Sequence, residues 1–255
     1  MNDRQDAGTP ATASTVEKVS VNKHMFYNVI GIFLCVLVLS CNESSENGNE
    51  GSENLYLKKY NIYFLGNSIT LHEPNEGIGW NGNWGMAASA EENDYVHKLI
   101  KKIEGEYEKK FRIKYGLKSI ANWERDFSVG LQPLEINEID LLIIRLGENV
   151  LEEYAMNNNY YDALSELIEK YKKNPTKIII TDNYWPSVFK DAIQKNVAIN
   201  NGYFFVQIND LYGNQENSAF GQFEHSGVAM HPSDIGMENI ARRIFEYIME
   251  NNIIN

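Results

Sequence analysis

The chain has 255 residues, of which 43% are hydrophobic, so it can bury the core of one large domain or two small ones, and one domain is the simpler expectation. Acidic residues outnumber basic ones by 35 to 23, and the formal net charge is -12. Because no basic run follows the first forty residues and no internal repeat is visible, we expect neither a nucleic-acid partner nor a solenoid.

The first 40 residues contain a candidate export signal. Residues 26–40 are almost wholly apolar, follow a basic region and end immediately before Cys41. A run of about fifteen residues is short for a membrane span but matches the hydrophobic region of an export signal. The letters "VLVLSC" resemble a bacterial lipoprotein signal, in which the cysteine is lipidated after cleavage. An N-terminal membrane helix is the alternative, and translation from Met25 is a further possibility.

The segment 41–55 is predicted to be a flexible acidic linker. Its run "NESSENGNEGSEN" contains no apolar residue and cannot bury enough surface to become ordered. Loss of the signal at 1–40 would remove equal numbers of basic and acidic residues, so the net charge would stay at -12. Cys35 would leave with the signal and Cys41 would carry lipid, so the domain at 56–255 would have no disulfide. We expect this domain to be lipid-anchored in the cell envelope, at the outer membrane or cell surface of a Gram-negative bacterium.

Apolar runs alternate with helical periods from Tyr56 onward. Strands are predicted for the short apolar runs at 60–66, 111–119, 140–147, 177–181 and 203–208. Helices are predicted at 94–110, 160–174, 187–200 and 233–251. Ser233 is placed to cap the last helix. Five strands separated by helices predict an α/β fold with a parallel sheet covered on both faces.

In such a sheet, ligands bind beyond the carboxyl ends of the strands. This rule selects the loops at 66–93, 120–130, 147–158, 182–187 and 209–232 as places for functional residues. Gly77, Gly79 and Gly82 in the first loop fit the pattern G-x-G-x-x-G. They begin well beyond the strand and do not form its turn into a helix, so we expect no dinucleotide site.

Three polar residues at this edge could carry chemistry. Ser68 lies two residues after Gly66, where a tight turn can expose a hydroxyl beside backbone N–H groups. His231 precedes Pro232, which restricts the backbone that presents the imidazole. Asn149, in "RLGEN", has an amide that can donate to a developing oxyanion. Taken singly, each residue also fits an ordinary turn or loop role.

The three motifs together resemble those of the GDSL/SGNH hydrolases. Gly-Asn-Ser after the first strand, Gly-Glu-Asn after the third and His-Pro before the last helix occur in the family's order across residues 60–251. The resemblance implies a three-layer α/β/α, flavodoxin-like fold and ester hydrolysis through an acyl-enzyme. It maps Ser68 to the nucleophile, His231 to the general base and Asn149 to an oxyanion donor, with the backbone N–H of Ser68 as another donor. It implies neither a metal nor an organic cofactor.

Three features depart from the family's pattern. Asn67 stands where the family usually has Asp, which preserves the turn but removes a charge. The run "SIANWERDF" lacks the usual Gly, so the further oxyanion donor is expected in the backbone around Asn122 and Trp123. Val228 stands three residues before His231, where the family usually has the acid that orients the imidazole. Loss of that acid lowers turnover in model serine hydrolases by about 10⁴-fold.

Another group must therefore orient the imidazole if the chain is an enzyme. We hypothesise that a backbone carbonyl accepts a hydrogen bond from Nδ1–H of His231, which would give a Ser-His dyad. Glu224 is the next candidate, and Asp234 and Asp210 are the other carboxylates in nearby loops. Asp234 also suits the first turn of the last helix, where the helix dipole favours negative charge.

All four tryptophans fall in loops at the predicted catalytic edge. Trp80, Trp84 and Trp123 are predicted to bind substrate, because aromatic faces suit the apolar faces of sugars. Packing under long loops is the alternative for such rings. For Trp123 and for Trp185, the sequence favours neither substrate binding nor packing. His72 is also predicted to contact substrate, with a polar loop role as its alternative.

These features predict an esterase that removes an acyl group, acetyl in the first instance, from a carbohydrate. Its expected partners are a small-molecule or glycan ester and, through the lipid anchor, a membrane. A weakly active or inactive glycan-binding lipoprotein on the same fold is one alternative, and a lipid-directed esterase is another. His97 and His225 show no consistent ligand spacing, so no metal site is expected.

Overall fold

The fold is built around a five-stranded parallel sheet. The computed structural model describes residues 57–128, 138–173 and 175–255. The strands are β1 (Lys58–Gly66), β2 (Phe111–Ser119), β3 (Leu141–Arg145), β4 (Lys177–Thr181) and β5 (Phe204–Val206). Their order across the sheet is β2-β1-β3-β4-β5, and every neighbouring pair is parallel. This is the strand order of flavodoxin-like sheets, so the predicted fold class and all five predicted strands are confirmed.

The amino-terminal predictions are not addressed by these coordinates. The signal segment at 1–40, its Cys41 and the linker at 41–55 lie outside the described residues and stay predictions. The domain expected at 56–255 is described from residue 57 onward, with gaps at 129–137 and 174. Within the described part of the chain, no helix combines the length and the apolar character needed to cross a membrane.

Four long helices lie at the positions that the apolar periodicity predicts, and three short ones do not follow from it. The helices are α1 (Tyr95–Tyr107), α2 (Trp123–Asp126), α3 (Glu152–Asn157), α4 (Tyr160–Tyr171), α5 (Val188–Asn200), α6 (Ser226–Ala229) and α7 (Asp234–Glu250). Ser233 caps α7 as predicted, since its side chain accepts from the N–H of Gly236. The short α2, α3 and α6 all lie in loops at the predicted catalytic edge.

Successive residues of β1 enter two different hydrophobic cores. Ile62 and Phe64 pack with the apolar faces of α1 and α7. Tyr63 and Leu65 point the other way and pack with α4 and α5. A strand that is buried on both faces reads as a continuous apolar run, which is why β1 could be predicted from the sequence. The result is the three-layer α/β/α arrangement.

The strand order places a crevice between the ends of β1 and β3. Because β1 is flanked by β2 on one side and β3 on the other, the direction of winding reverses there. Ligands in doubly wound sheets bind at this reversal, outside the carboxyl ends of the strands. The loops that leave β1 and β3 carry Ser68 and Asn149, so the topology alone brings these two residues to one place.

Gly66 ends β1 where the following turn comes very close. A methyl group added at Gly66 would clash with the side chain of Thr70 and would lie 3.1 Å from the carbonyl oxygen of Arg145. Gly66→Ala should therefore lower the free energy of unfolding by about 1–3 kcal/mol, as overpacking does. Gly105→Ala is the matched control, because its methyl group would meet nothing within 4 Å on helix α1. It should raise stability by about 0.5–1 kcal/mol. Urea unfolding measures the stability of both variants. A Gly66→Ala variant as stable as Gly105→Ala would contradict the close contact between Gly66 and the following turn.

Candidate active site

Ser68 lies on the tight turn that follows β1. The N–H groups of Thr70 and Leu71 both donate to the carbonyl oxygen of Asn67 at 2.9 Å. Met86 N–H donates to the carbonyl oxygen of Ser68 at 2.8 Å. Ser68 is half-buried in the wall of a cavity of about 650 Å³, a size that suits a small ligand. The turn therefore presents the hydroxyl at the carboxyl edge of the sheet.

His231 faces this hydroxyl directly. Its Nε2 lies 2.8 Å from Ser68 Oγ, although the two residues are 163 positions apart in the sequence. The imidazole is held in a largely buried position, since His231 is only 7% exposed. A hydroxyl that donates to a histidine nitrogen at this distance is the arrangement of an activated serine nucleophile and its general base.

The carbonyl group of Gly227 orients the imidazole. Nδ1 of His231 lies 2.7 Å from the Gly227 oxygen, on the short helix α6. A carbonyl oxygen only accepts hydrogen bonds, so this contact places the ring proton on Nδ1 and leaves the lone pair of Nε2 toward Ser68. The structure thus contains the backbone contact that the dyad hypothesis requires.

The same burial keeps the imidazole neutral. The pKa of His231 is lowered to about 4, chiefly by burial and with smaller contributions from the nearby Arg145 and His72, while the bond to Gly227 opposes the shift. Trp185 also packs against the imidazole of His231 in a T-shaped contact, with the two ring centres 5.1 Å apart. At neutral pH the ring is therefore free to accept a proton.

None of the three alternative carboxylates is the hydrogen-bond partner of His231 Nδ1. Glu224 is exposed and lines a neighbouring groove. Asp234 accepts from the backbone N–H and the hydroxyl of Ser89 at 2.8 and 2.5 Å. Asp210 pairs with Arg243 at 3.0 and 3.1 Å. Because each of them has another position or partner, the backbone carbonyl is the group that the structure offers to Nδ1.

Val228 packs in an apolar cluster at the wall of the cavity that also contains His231. It is 0% exposed and belongs to a small core cluster that includes Trp80, Met86 and Ala219. A carboxylate in this position would be surrounded by apolar side chains. The acid that the family resemblance leads one to expect is absent here, and the group that contacts Nδ1 of His231 is the carbonyl of the neighbouring Gly227.

Asn149 shares the cavity with Ser68 and His231, as the family resemblance implies. Asn149 is exposed, and its Nδ2 donates one hydrogen bond to Glu124 Oε2 at 2.6 Å. An amide nitrogen carries two N–H groups, so a second donor is left for a substrate oxygen. The predicted role as an oxyanion donor is compatible with this position and stays a prediction.

Two buried glutamates lie next to the turn that carries Ser68, and one of them, Glu148, also lines the cavity. Glu124 is 0% exposed, and the side chain of Glu148 is 1% exposed. Glu148 is paired with the fully buried Arg145 at 2.5 Å and also accepts from the N–H of Tyr184 at 2.9 Å. Burying a carboxylate costs free energy unless it is paired or hydrogen-bonded, and the partners around this cluster meet that requirement. Sequence reasoning missed this cluster.

Asn67 is explained by these two carboxylates. Its Nδ2 donates to Glu148 Oε2 at 2.6 Å and to Glu124 Oε1 at 3.2 Å. An aspartate at this position would bring a third carboxylate against the other two and would donate to neither. The departure from Gly-Asp-Ser therefore follows from the residues that this chain places next to the turn.

The structure bears on which backbone N–H could be the further donor to an oxyanion. Trp123 N–H already donates to the carbonyl oxygen of Ile120 at 2.9 Å, so it is not free for substrate. Ala121 lines the cavity that contains Ser68, whereas Asn122 is not among the residues lining it. The cavity lining therefore adds the backbone of Ala121 to the stretch in which the further donor is expected.

Two of the predicted substrate-binding tryptophans are in the core. Trp80 and Trp123 are each 3% exposed, so neither ring offers a face to a sugar, and the prediction of an open platform is wrong for both. Trp80 packs edge-on against Trp84, and Trp123 packs with Phe127 and Tyr160. The long loops needed internal anchors, and these rings provide them.

Trp84 and His72 have intermediate positions. Trp84 is partly buried, and its Nε1 donates to the carbonyl oxygen of Ala88 at 2.9 Å. His72 lines the cavity that contains Ser68, and its contact with substrate stays a prediction. His225 also lines the cavity, as do Arg125 and Leu151, to which the sequence assigned no role.

Within the described residues, no group of three or more metal-ligating side chains could hold an ion. His97 is structural, since it bonds to Asp94 at 2.8 Å on helix α1. The site that the structure assembles is therefore a serine, a histidine and hydrogen-bond donors, with buried carboxylates next to them.

This sequence matches no protein-family model and no curated protein. Solved structures do match. One is a two-domain esterase active on acetylated mannans, with a TM-score of 0.50, 17% identity and coverage of 76% of this chain and 49% of that one. This chain thus spans about half of that esterase.

Two further structures match at lower TM-scores. A family 3 carbohydrate esterase from Clostridium thermocellum has a TM-score of 0.48, 17% identity and coverage of 76% of this chain and 97% of that one. A putative lipolytic protein of the G-D-S-L family from Desulfitobacterium hafniense DCB-2 has a TM-score of 0.45, 13% identity and coverage of 74% and 99%. The match to the two-domain esterase, at a TM-score of 0.50, shows that this chain shares its fold.

Restoring the family's usual acid should damage this protein. Val228→Asp would place a carboxyl group among apolar side chains, and we expect it to lower the free energy of unfolding by about 3 kcal/mol. It should not raise turnover, because Nδ1 of His231 is already bonded to Gly227. Val228→Thr, which has a similar shape, is the control and should lose less stability. Thermal unfolding and ester hydrolysis measure both effects. An Asp variant that is as stable as the parent and faster would show that the imidazole lacks an orienting group.

Proposed function

We propose that this protein is a serine esterase that hydrolyses a small acyl ester, acetyl first, on a carbohydrate. The observation that carries the proposal is the 2.8 Å contact between Ser68 Oγ and Nε2 of a buried His231. The pKa of that imidazole is lowered to about 4, chiefly by burial, so Nε2 is unprotonated at neutral pH. A nucleophile with an available base beside it is the minimum that acyl transfer requires.

The reaction would proceed through an acyl-enzyme. Nε2 of His231 takes the hydroxyl proton as Ser68 Oγ bonds to the ester carbonyl carbon. Negative charge moves to the carbonyl oxygen, where the Asn149 amide and backbone N–H groups at Ser68 and Ala121 donate to it. The carbon–oxygen bond to the sugar then breaks, and the imidazolium protonates the leaving alcohol. Water activated by the same imidazole releases the acyl group.

A groove next to the catalytic cavity supports a carbohydrate substrate. It has a volume of about 610 Å³ and shares Ile78 and His225 with the cavity that contains the serine. Gln222, Phe223 and Glu224 lie along it. Polar side chains beside an aromatic ring can hydrogen-bond sugar hydroxyls and cover an apolar sugar face. The solved esterase with the same fold is active on acetylated mannans, and we extend that class of substrate to this chain as part of the proposal.

A lipid-directed esterase is the second candidate. Val150 and Leu151 line the catalytic cavity, and Leu151 is 74% exposed, so a longer acyl chain would meet apolar surface there. A glycan-binding protein without turnover remains the third candidate, motivated by Val228 in place of the usual acid. The contact between Gly227 and the imidazole counts against this third candidate.

One series of nitrophenyl esters, from acetate to decanoate, separates these candidates. We expect hydrolysis to be fastest with acetate, and His231→Ala to lower kcat by about 10³-fold or more. A fluorophosphonate probe should label the wild type but not Ser68→Ala. Ser165→Ala on helix α4, whose hydroxyl bonds only to the Tyr161 carbonyl oxygen, is the control and should be labelled normally. Labelling that persists in Ser68→Ala would overturn the nucleophile assignment. A preference for long chains would favour the lipid-directed esterase.

A further inference from the structure

Glu124 is a buried carboxylate with an unusual set of partners. It lies in the short helix α2, just after the strand next to β1, and is 0% exposed. Its oxygens accept from Asn149 Nδ2 at 2.6 Å, from Asn67 Nδ2 at 3.2 Å and from the backbone N–H of Gly147. Glu124 takes no part in the reaction described above, so its burial needs another explanation.

Its three donors come from the two loops that form the catalytic crevice. Asn67 immediately precedes Ser68 in the loop after β1. Gly147 and Asn149 belong to the loop after β3. One carboxylate therefore links the turn that carries the nucleophile to the loop that carries the predicted oxyanion donor.

We propose that ionised Glu124 is a positioning residue of the oxyanion hole: by accepting one N–H of the Asn149 amide, it aims the other at the ester oxygen above Ser68. This inference rests on the esterase function proposed above. Asn149 itself is exposed and at the cavity wall, where an unrestrained amide would sample several rotamers. A fixed donor stabilises the developing oxyanion more than a mobile one does, because it needs no reorganisation during the reaction.

The charged surroundings of Glu124 make this arrangement sensitive to protons. Glu148 is the like charge nearby, and Arg145 is paired with Glu148. Lys190 donates to the carbonyl oxygens of Gly147 and Val150 at 2.8 Å each. Burial first, and then the negative charge of Glu124, raise the pKa of the Tyr160 hydroxyl. Burial first and Glu148 second raise the pKa of Glu124 to about 7, against the hydrogen bonds that it accepts, which lower it.

Protonation of Glu124 would disturb its partners. A protonated carboxyl turns one acceptor oxygen into a donor, and both oxygens are already receiving N–H groups. One of the loop donors would then lose its acceptor. The ionised form is present above the pKa, so kcat should be full above about pH 7 and fall as the pH decreases through that value. His231 would lose its basic form only near its own pKa of about 4, so the two groups are separable.

The test compares the pH dependence of kcat and KM for nitrophenyl acetate in four chains. These are the wild type, Glu124→Gln, Asn149→Ala and the double variant. Glu169→Gln, an exposed change on helix α4, is the control and should behave like the wild type. We expect a wild-type acid limb near pH 7 that is absent from Glu124→Gln. That variant should have kcat lowered by about 10–100-fold, with KM within about two-fold.

The double variant distinguishes positioning from a purely structural role. If Glu124 acts through Asn149, the two losses in kcat will not multiply, and Glu124→Gln will cost little once Asn149 is alanine. The limb near pH 7 should also disappear in Asn149→Ala, a readout that remains available if Glu124→Gln does not fold. Unchanged or raised kcat in Glu124→Gln, a limb that persists in Asn149→Ala, or losses that multiply fully would overturn the inference. Absence of wild-type turnover and of Ser68 labelling would overturn the esterase function, and this inference with it.

Discussion

The hydrogen bond from Nδ1–H of His231 to the Gly227 carbonyl is the interaction on which the site depends. At 2.7 Å it fixes the tautomer and the plane of a ring that has no carboxylate partner in the described structure. Without it, Nε2 would not be held 2.8 Å from Ser68 Oγ with its lone pair toward the hydroxyl. The bond is made by a backbone group, so it survives the replacement of the usual acid by Val228. The side chain at 228 is then released to pack the core.

A carbonyl dipole and a carboxylate do not orient histidine in the same way. A carboxylate also stabilises the imidazolium that forms when the serine is deprotonated, whereas a neutral carbonyl does so more weakly. Burial lowers the pKa of His231 further and makes that imidazolium less stable. In the proposed reaction, hydrogen-bond donors to the developing oxyanion compensate at the other end of the charge separation. Glu124 accepts from Asn67 and Asn149, and Glu148 accepts from Asn67, so both carboxylates hold side chains of the loops that would supply those donors.

Local patterns in the sequence were sufficient for the sheet, the long helices and the order of the catalytic loops. The pairing of Ser68 with His231 also followed, because the carboxyl edge of a parallel sheet gathers distant loops. The carboxylate cluster did not follow, since the letters "NWERD" and "GEN" do not reveal that both glutamates turn inward. For Trp80 and Trp123 the sequence leaves substrate binding and packing under long loops both open, and the structure shows both rings buried. Burial of a single side chain depends on contacts that are remote in sequence.

The most direct test of the account is an NMR titration of the His231 imidazole in the folded protein. The account predicts a neutral ring protonated at Nδ1, hydrogen-bonded to the Gly227 carbonyl, which takes up its second proton only at a pKa of about 4. The resonances should lose this behaviour on unfolding, when the ring returns to its ordinary pKa. A ring protonated at Nε2, or one that titrates in the usual range of an exposed histidine, would contradict the claim that a backbone carbonyl makes this residue the base for Ser68.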